Sequence, residues 1–237
     1  MNCLYTLNYD NYMCQNARES FQAAAHRWHC AYFELQDDFE LYGEYNKVLG
    51  IKKHLMSCEK VLYMDADMLI RVDTPNPFEL FTSDKVYVVK DTVEGWDQER
   101  LSFFKEEVSD AWIHWGHAVL GHSGDGKAFA NSCHEWFFNA GWFLCQPRAI
   151  EKEIDLFIKT IPGGLTTKRQ GRPEQGLWNC MLKSADKIEY VGREWNFIDP
   201  ECSNGKMDCY IYHFTGLSHE HLKQIIPTYD WKTVPRS

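Results

Sequence analysis

The stretch Lys60-Val61-Leu62-Tyr63-Met64, followed at once by Asp65-Ala66-Asp67, constrains this chain more than any other. A short, near-continuous apolar run suits a strand buried on both faces of a parallel sheet. Carboxylates cannot simply continue such a strand, because burying them without a compensating charge is costly. Asp65 and Asp67 therefore mark its carboxyl end, which is the ligand side of an open α/β sheet. The upstream pattern agrees. Residues 2–7 read as a strand, and Phe21, Ala24, Ala25 and Trp28 recur at helical spacing. Residues 30–35 read as a second strand. An acidic loop, Asp37-Asp38-Phe39-Glu40, then leads to a helix over 45–57. Strand–helix–strand–helix–strand is a doubly wound α/β opening, with a mainly parallel central sheet flanked by helices.

Further strands are expected at 85–90, 137–145, 187–191 and 210–214, and further helices over 147–160 and 174–183. Pro147 suits the first turn of its helix, where a missing N–H costs little. Residues 91–134, rich in Trp, His and Gly, follow neither period; within them 121–126 reads as a loop rather than a phosphate cradle. No repeat or linker interrupts the chain, so residues 1–237 read as one domain.

Composition removes several functional classes. Of 237 residues 44% are apolar, enough for a core without disulfide or metal staples and too many for a disordered chain. A net charge of −9 argues against a nucleic-acid coat, which needs clustered Lys and Arg. No apolar run approaches the roughly 18–20 residues that span a bilayer. The first residues show no basic segment leading into an apolar one, so no signal peptide is expected. The nine cysteines lack paired spacing and read as reduced thiols, which points to a cytoplasmic setting. A zinc site from Cys133, His134, Cys202, Cys209 and His213 would match no paired-cysteine pattern.

The carboxylate pair is the chemical lead. Two oxygen ligands at that strand end suit Mg²⁺ or Mn²⁺, and such an ion can bridge diphosphate oxygens. A bare Asp-x-Asp also occurs as two surface acids in a turn; the buried strand before it favours the metal.

Strand–Asp-Ala-Asp–apolar resembles the metal motif of the GT-A glycosyltransferases, especially glycosyltransferase family 8, the glycogenin and galactinol synthase relatives. Other stretches resemble that family in order and spacing across nearly the whole chain. These are Tyr5-Thr6-Leu7 running on to Tyr12, Asn46-Lys47, Asn76-Pro77-Phe78-Glu79-Leu80-Phe81, and Phe138-Asn139-Ala140-Gly141. Glu174-Gln175 through Asn179, Trp195-Asn196, and Ile211-Tyr212-His213-Phe214-Thr215-Gly216 complete the set.

The resemblance implies a metal-dependent, retaining transfer of a hexose from a UDP-sugar, UDP-glucose or UDP-galactose first, to an acceptor hydroxyl. Residues 1–90 would form the nucleotide-binding half and 91–237 the acceptor and sugar half. Asp65, Asp67 and His213 would hold the metal; a mixed oxygen–nitrogen set favours Mn²⁺, with Mg²⁺ possible. Thr6, Leu7, Tyr12, Lys47, Asp65 and Ala66 would bind the donor nucleotide. Asn139, Ala140 and Gly141 would meet the donor sugar. Glu174 would face the anomeric carbon or the sugar hydroxyls, with Gln175 as weak nucleophile or transition-state stabiliser. Gly216 would let backbone approach the diphosphate. His219 stands where the family has a phosphate-binding lysine, and Lys223 is near enough in sequence to replace it. Trp112, Trp115 and His117 are the candidate acceptor wall, since aromatic faces stack on sugars. The rival readings are a sugar nucleotidyltransferase, which would normally carry a Gly-rich basic loop absent from residues 5–11, and a nucleotide-sugar or glycan-binding module without catalysis.

Overall fold

The computed structural model describes residues 1–9, 12–36, 45–91, 102, 105, 131–161, 173–198, 209–229 and 231–232, except the side chains of 134 and 173. Its elements are β1 (Cys3–Leu7), α1 (Gln15–Arg27), β2 (Ala31–Leu35), α2 (Asn46–Gly50), β3 (Val61–Met64) and β4 (Met68–Ile70). Next come α3 (Pro77–Leu80), β5 (Val86–Lys90), α4 (Cys133–Trp136), β6 (Phe138–Cys145), α5 (Glu151–Thr160) and α6 (Pro173–Ser184). β7 (Ile188–Val191), β8 (Phe197–Ile198), β9 (Ile211–His213) and α7 (His219–Ile225) follow. The helix expected over 45–57 is divided: α2 passes into a π-helical turn at Ile51–Leu55.

Six strands form the central sheet in the order β2-β1-β3-β6-β5-β7. The ladders β2-β1-β3 and β5-β7 are parallel, as the alternating strand and helix pattern implies. β6 runs antiparallel to both neighbours. All eight of its residues are buried, so its burial pattern carries no sign of direction. The apolar residues after Asp67 do not prolong β3. The chain turns at 65–67, and β4 enters a second sheet of order β4-β9-β8.

Side chains alternate across the central sheet with period two. Tyr5, Val61, Tyr63 and Phe143 face one core, which Val48, Ile51, Phe157, Leu177 and Trp178 complete from α2, the turn after it, α5 and α6. Leu4, Leu62, Met64, Trp142 and Leu144 face the other, where Ala17, Phe21 and Ala24 of α1 pack with β4 and β9. Ala17, Phe21 and Ala24 share one helix stripe, as their spacing requires. The second core draws on residues from both ends of the sequence, Leu4 to Trp231.

The end of β2 carries a polar hub. Glu34 accepts two hydrogen bonds from the Arg18 guanidinium, at 2.9 and 3.0 Å, and others from Asn8, Tyr32 and Gln36 at 2.6–2.8 Å. Burial pushes its pKa up, but these donors outweigh that effect and hold it at about 2, against an ordinary 4.5. A depressed carboxyl adds stability that is complete above its unfolded pKa and lost as pH falls towards the folded one. Wild-type chain is therefore expected to lose stability between about pH 4.5 and 2 in a part that Glu34→Gln lacks. Urea midpoints measured across that range for both proteins check it; parallel pH profiles would exclude Glu34 as the source.

Candidate active site

The turn at 65–67 lies where β3 ends, and β6 holds it there. Asp65 N–H donates to Gly141 O at 2.8 Å, one step beyond the last paired residues, Met64 and Trp142. Upstream, residues 138–140 of β6 have no β3 residue opposite. Side-chain amides from α6 take over: Phe138 N–H donates to Asn179 Oδ1 at 2.8 Å, and Asn179 Nδ2 donates to Phe138 O at 2.9 Å. Ala140 N–H donates to Gln175 Oε1 at 3.2 Å. Buried backbone groups need such partners, so this clamp fixes the first turn of α6 against β6.

The second sheet delivers the imidazole. In the β4–β9 ladder Met68 pairs with His213, and Phe214 N–H donates to Asp67 O at 3.0 Å. His213 Nε2 thus lies 3.3 Å from Asp67 Oδ1 and 3.9 Å from Asp65 Oδ2. One ligand atom from each of Asp65, Asp67 and His213 falls within 4.8 Å of the others, and no second such His, Cys, Asp and Glu group occurs among the described residues. Cys133 and Cys209 lie in different cores. Asp67 Oδ1 is buried and accepts no hydrogen bond. A buried, unbonded carboxylate oxygen facing an imidazole nitrogen and a second carboxylate suits a divalent cation.

A buried cation lies beside this centre. Lys47 Nζ is 3.1 Å from Asp65 Oδ1 and 4.0 Å from Glu174 Oε1, and stands 5.3 Å from the centroid of the Tyr63 ring. Tyr63 donates its hydroxyl to Asp65 Oδ1 at 2.6 Å. Burial pushes the Asp65 carboxyl up, but Lys47, His213 and Tyr63 together pull it below the usual carboxylate range. Its charge is thereby secured for cation binding.

These groups edge a cleft of about 430 Å³, within the range of small-molecule sites. Of the residues expected from sequence, Leu7, Tyr12, Lys47, Asp65, Ala66, Asp67, Glu174, Gly216 and His219 line it. Thr6, Asn139, Ala140, Gly141, Gln175 and His213 do not. All six are buried behind the lining, and Gln175 turns its Oε1 to β6. Tyr9, Tyr63, Thr215 and Leu217 also line the cleft without having been singled out. Tyr63 was legible only as a strand residue, and its hydroxyl matters because the chain turns immediately after it.

Gly216 has φ +81°, a conformation L side chains rarely adopt, and a Cβ there would meet nothing within 4 Å. Tyr12 donates to Leu217 O at 2.9 Å and its ring lies 5.3 Å from that of His219, so the β1–α1 and β9–α7 loops meet over one wall. Lys223 is outside this cleft and lines a neighbouring cavity that shares His219. Trp112, Trp115 and His117 lie outside the described residues. Trp136 and Trp142, which follow these residues in sequence, are core residues at 3% and 0% exposure.

No protein-family model matches this sequence, and no curated protein matches it. Solved structures do. A glycosyltransferase involved in the glycosylation of the major capsid of PBCV-1 superposes with a TM-score of 0.61 at 12% identity, over 96% of this chain and 100% of that one. The galactosyltransferase LgtC, in complex with donor and acceptor sugar analogues, gives 0.56 at 16% identity, over 99% and 98%. The apo form of the glycosyltransferase GlyE from Streptococcus pneumoniae TIGR4 gives 0.55 at 14%, over 97% of this chain and 60% of that one. The chain has the GT-A fold of these glycosyltransferases, as its motifs imply. No helix among the described residues is long and apolar enough to cross a membrane.

Proposed function

We propose that this chain is a metal-dependent glycosyltransferase that transfers a hexose from a UDP-sugar to an acceptor hydroxyl with retention of configuration. The observation carrying this reading is the meeting of Asp65, Asp67 and His213 beside a cleft of donor size at the strand end of a GT-A fold. A bound Mn²⁺ would act as Lewis acid toward the leaving diphosphate. Asp67 and His213 would hold it together with Asp65, whose Oδ1 also meets Lys47. Leu7 and Tyr12 flank the nucleotide. The open backbone at Gly216 receives the diphosphate, with His219 on the same wall. Lys47 balances the two carboxylates it lies between and keeps Glu174 turned toward the sugar. Leaving phosphate accepts the proton of the attacking hydroxyl, which requires no protein base on the opposite face. The whole chain acts as one catalytic domain.

The test is Mn²⁺-dependent release of UDP across a panel of UDP-sugars, with the product anomer read by NMR. UDP-glucose or UDP-galactose turnover with the anomer retained is expected. An inverted product would remove the front-face route. Nucleotide-sugar binding with no metal-dependent turnover on any donor would leave a binding module instead.

A further inference from the structure

Asn196 received no role from the sequence beyond its place in a motif. It follows a 3-10 turn, Arg193–Trp195, and is 2% exposed. Trp195 wedges that turn between Phe81, Trp142 and Tyr210, with ring centroids 5.0–5.9 Å apart. Asn196 is therefore held rigidly against the buried side of His213.

The polarity of its amide can be deduced from a backbone group. Gly141 N–H donates to Asn139 Oδ1 at 2.9 Å, and a backbone N–H can only donate. The Asn139 atom there is thus its oxygen. The Asn196 atom 3.2 Å from that same oxygen must be the amide nitrogen, Nδ2. The other end of Asn196 is then Oδ1, an acceptor, and it faces His213 Nδ1 at 2.9 Å. His213 must carry a proton on Nδ1. In the neutral ring this leaves Nε2 with a bare lone pair, aimed at the unbonded Asp67 Oδ1 3.3 Å away. Two lone pairs at that separation call for a proton or a metal ion between them.

We propose that Asn196, anchored by Asn139, is a positioning residue that fixes His213 as the Nδ1–H tautomer and presents Nε2 as a ready metal ligand. Asn139 is then first an anchor of the imidazole, where the family resemblance implied a contact with the donor sugar. The ligand role rests on the metal reading proposed above; the tautomer does not.

Two measurements test it on the full chain. Long-range ¹⁵N–¹H NMR of the metal-free protein, at a pH where the ring is neutral, should show the proton of His213 on Nδ1. A proton on Nε2 would overturn the proposal. Mn²⁺ titration followed by EPR should then show Asn196→Leu binding about 10–100-fold more weakly than wild type, the usual loss when the partner of a ligand histidine is removed. Asn196→Asp, which still accepts from Nδ1–H, should keep the tautomer and bind more tightly than Asn196→Leu. It also serves if the leucine variant does not fold. Folded Asn196→Leu with wild-type Mn²⁺ affinity would overturn the positioning role. Wild type binding Mn²⁺ no better than Asp67→Ala would instead remove the metal reading and the ligand role with it, while the NMR signal would still decide the tautomer.

Discussion

Asp67→Ala is expected to lower Mn²⁺-dependent UDP release by at least about 10²–10³-fold, the usual cost of losing one preorganised electrostatic group at a site of developing charge. The residue supplies the one ligand oxygen that is buried and bonded to nothing, 3.3 Å from the His213 nitrogen. Asp65 is a poorer substitute, because its Oδ1 is already engaged by Lys47 at 3.1 Å and Tyr63 at 2.6 Å and its Oδ2 lies farther from His213 Nε2, at 3.9 Å. The fold should survive. Asp67 is tied to β9 through its backbone carbonyl, which accepts from Phe214 N–H, and alanine keeps that bond. Initial rates with and without Mn²⁺, beside a thermal melt, separate the two effects. Unchanged turnover would place the metal elsewhere.

The second large effect is expected from a single added methyl. A Cβ on Gly141 would lie 2.6 Å from Asp65 Oδ2, 2.6 Å from His213 Cε1 and 2.8 Å from Asn139 Oδ1. Each of those atoms belongs to the candidate metal centre or to the amide that braces it. Gly141→Ala must therefore displace at least one of them. Overpacking of this kind costs about 1–3 kcal/mol of stability. Misplacing a reacting constellation by about an ångström can cost 10²-fold in rate. Mn²⁺ affinity and turnover should fall together, by about 10²-fold in rate, with a modest drop in urea midpoint. Wild-type Mn²⁺ binding in the alanine variant would show that the site has more room than these distances allow.

The central sheet was legible because buried strands announce themselves. Residues 61–64 are apolar without a break, 138–145 are apolar but for Asn139 and Gly141, and α1 shows its stripe in Phe21 and Ala24. Asp65 and Asp67 were legible as a pair because they interrupt such a run. Strand direction was not, since a strand covered on both faces reads the same either way, and β6 is reversed. Nor was the division between β3 and β4, because the residues flanking the turn are equally apolar. The roles of Asn139 and Asn196 were hidden for a different reason. An amide's task depends on which end faces which neighbour, and only the Gly141 N–H settles that.

The small sheet has a consequence in time. Asp67 and His213 come together only when β4 and β9 pair, and those strands lie most of the chain apart. Contacts so distant in sequence demand a large loop closure and form late. A chain emerging from the ribosome presents both carboxylates well before His213, the imidazole set against them, has been made. The cation pocket is thus complete only once β4 and β9 have paired, and occupancy by a divalent cation would report that pairing.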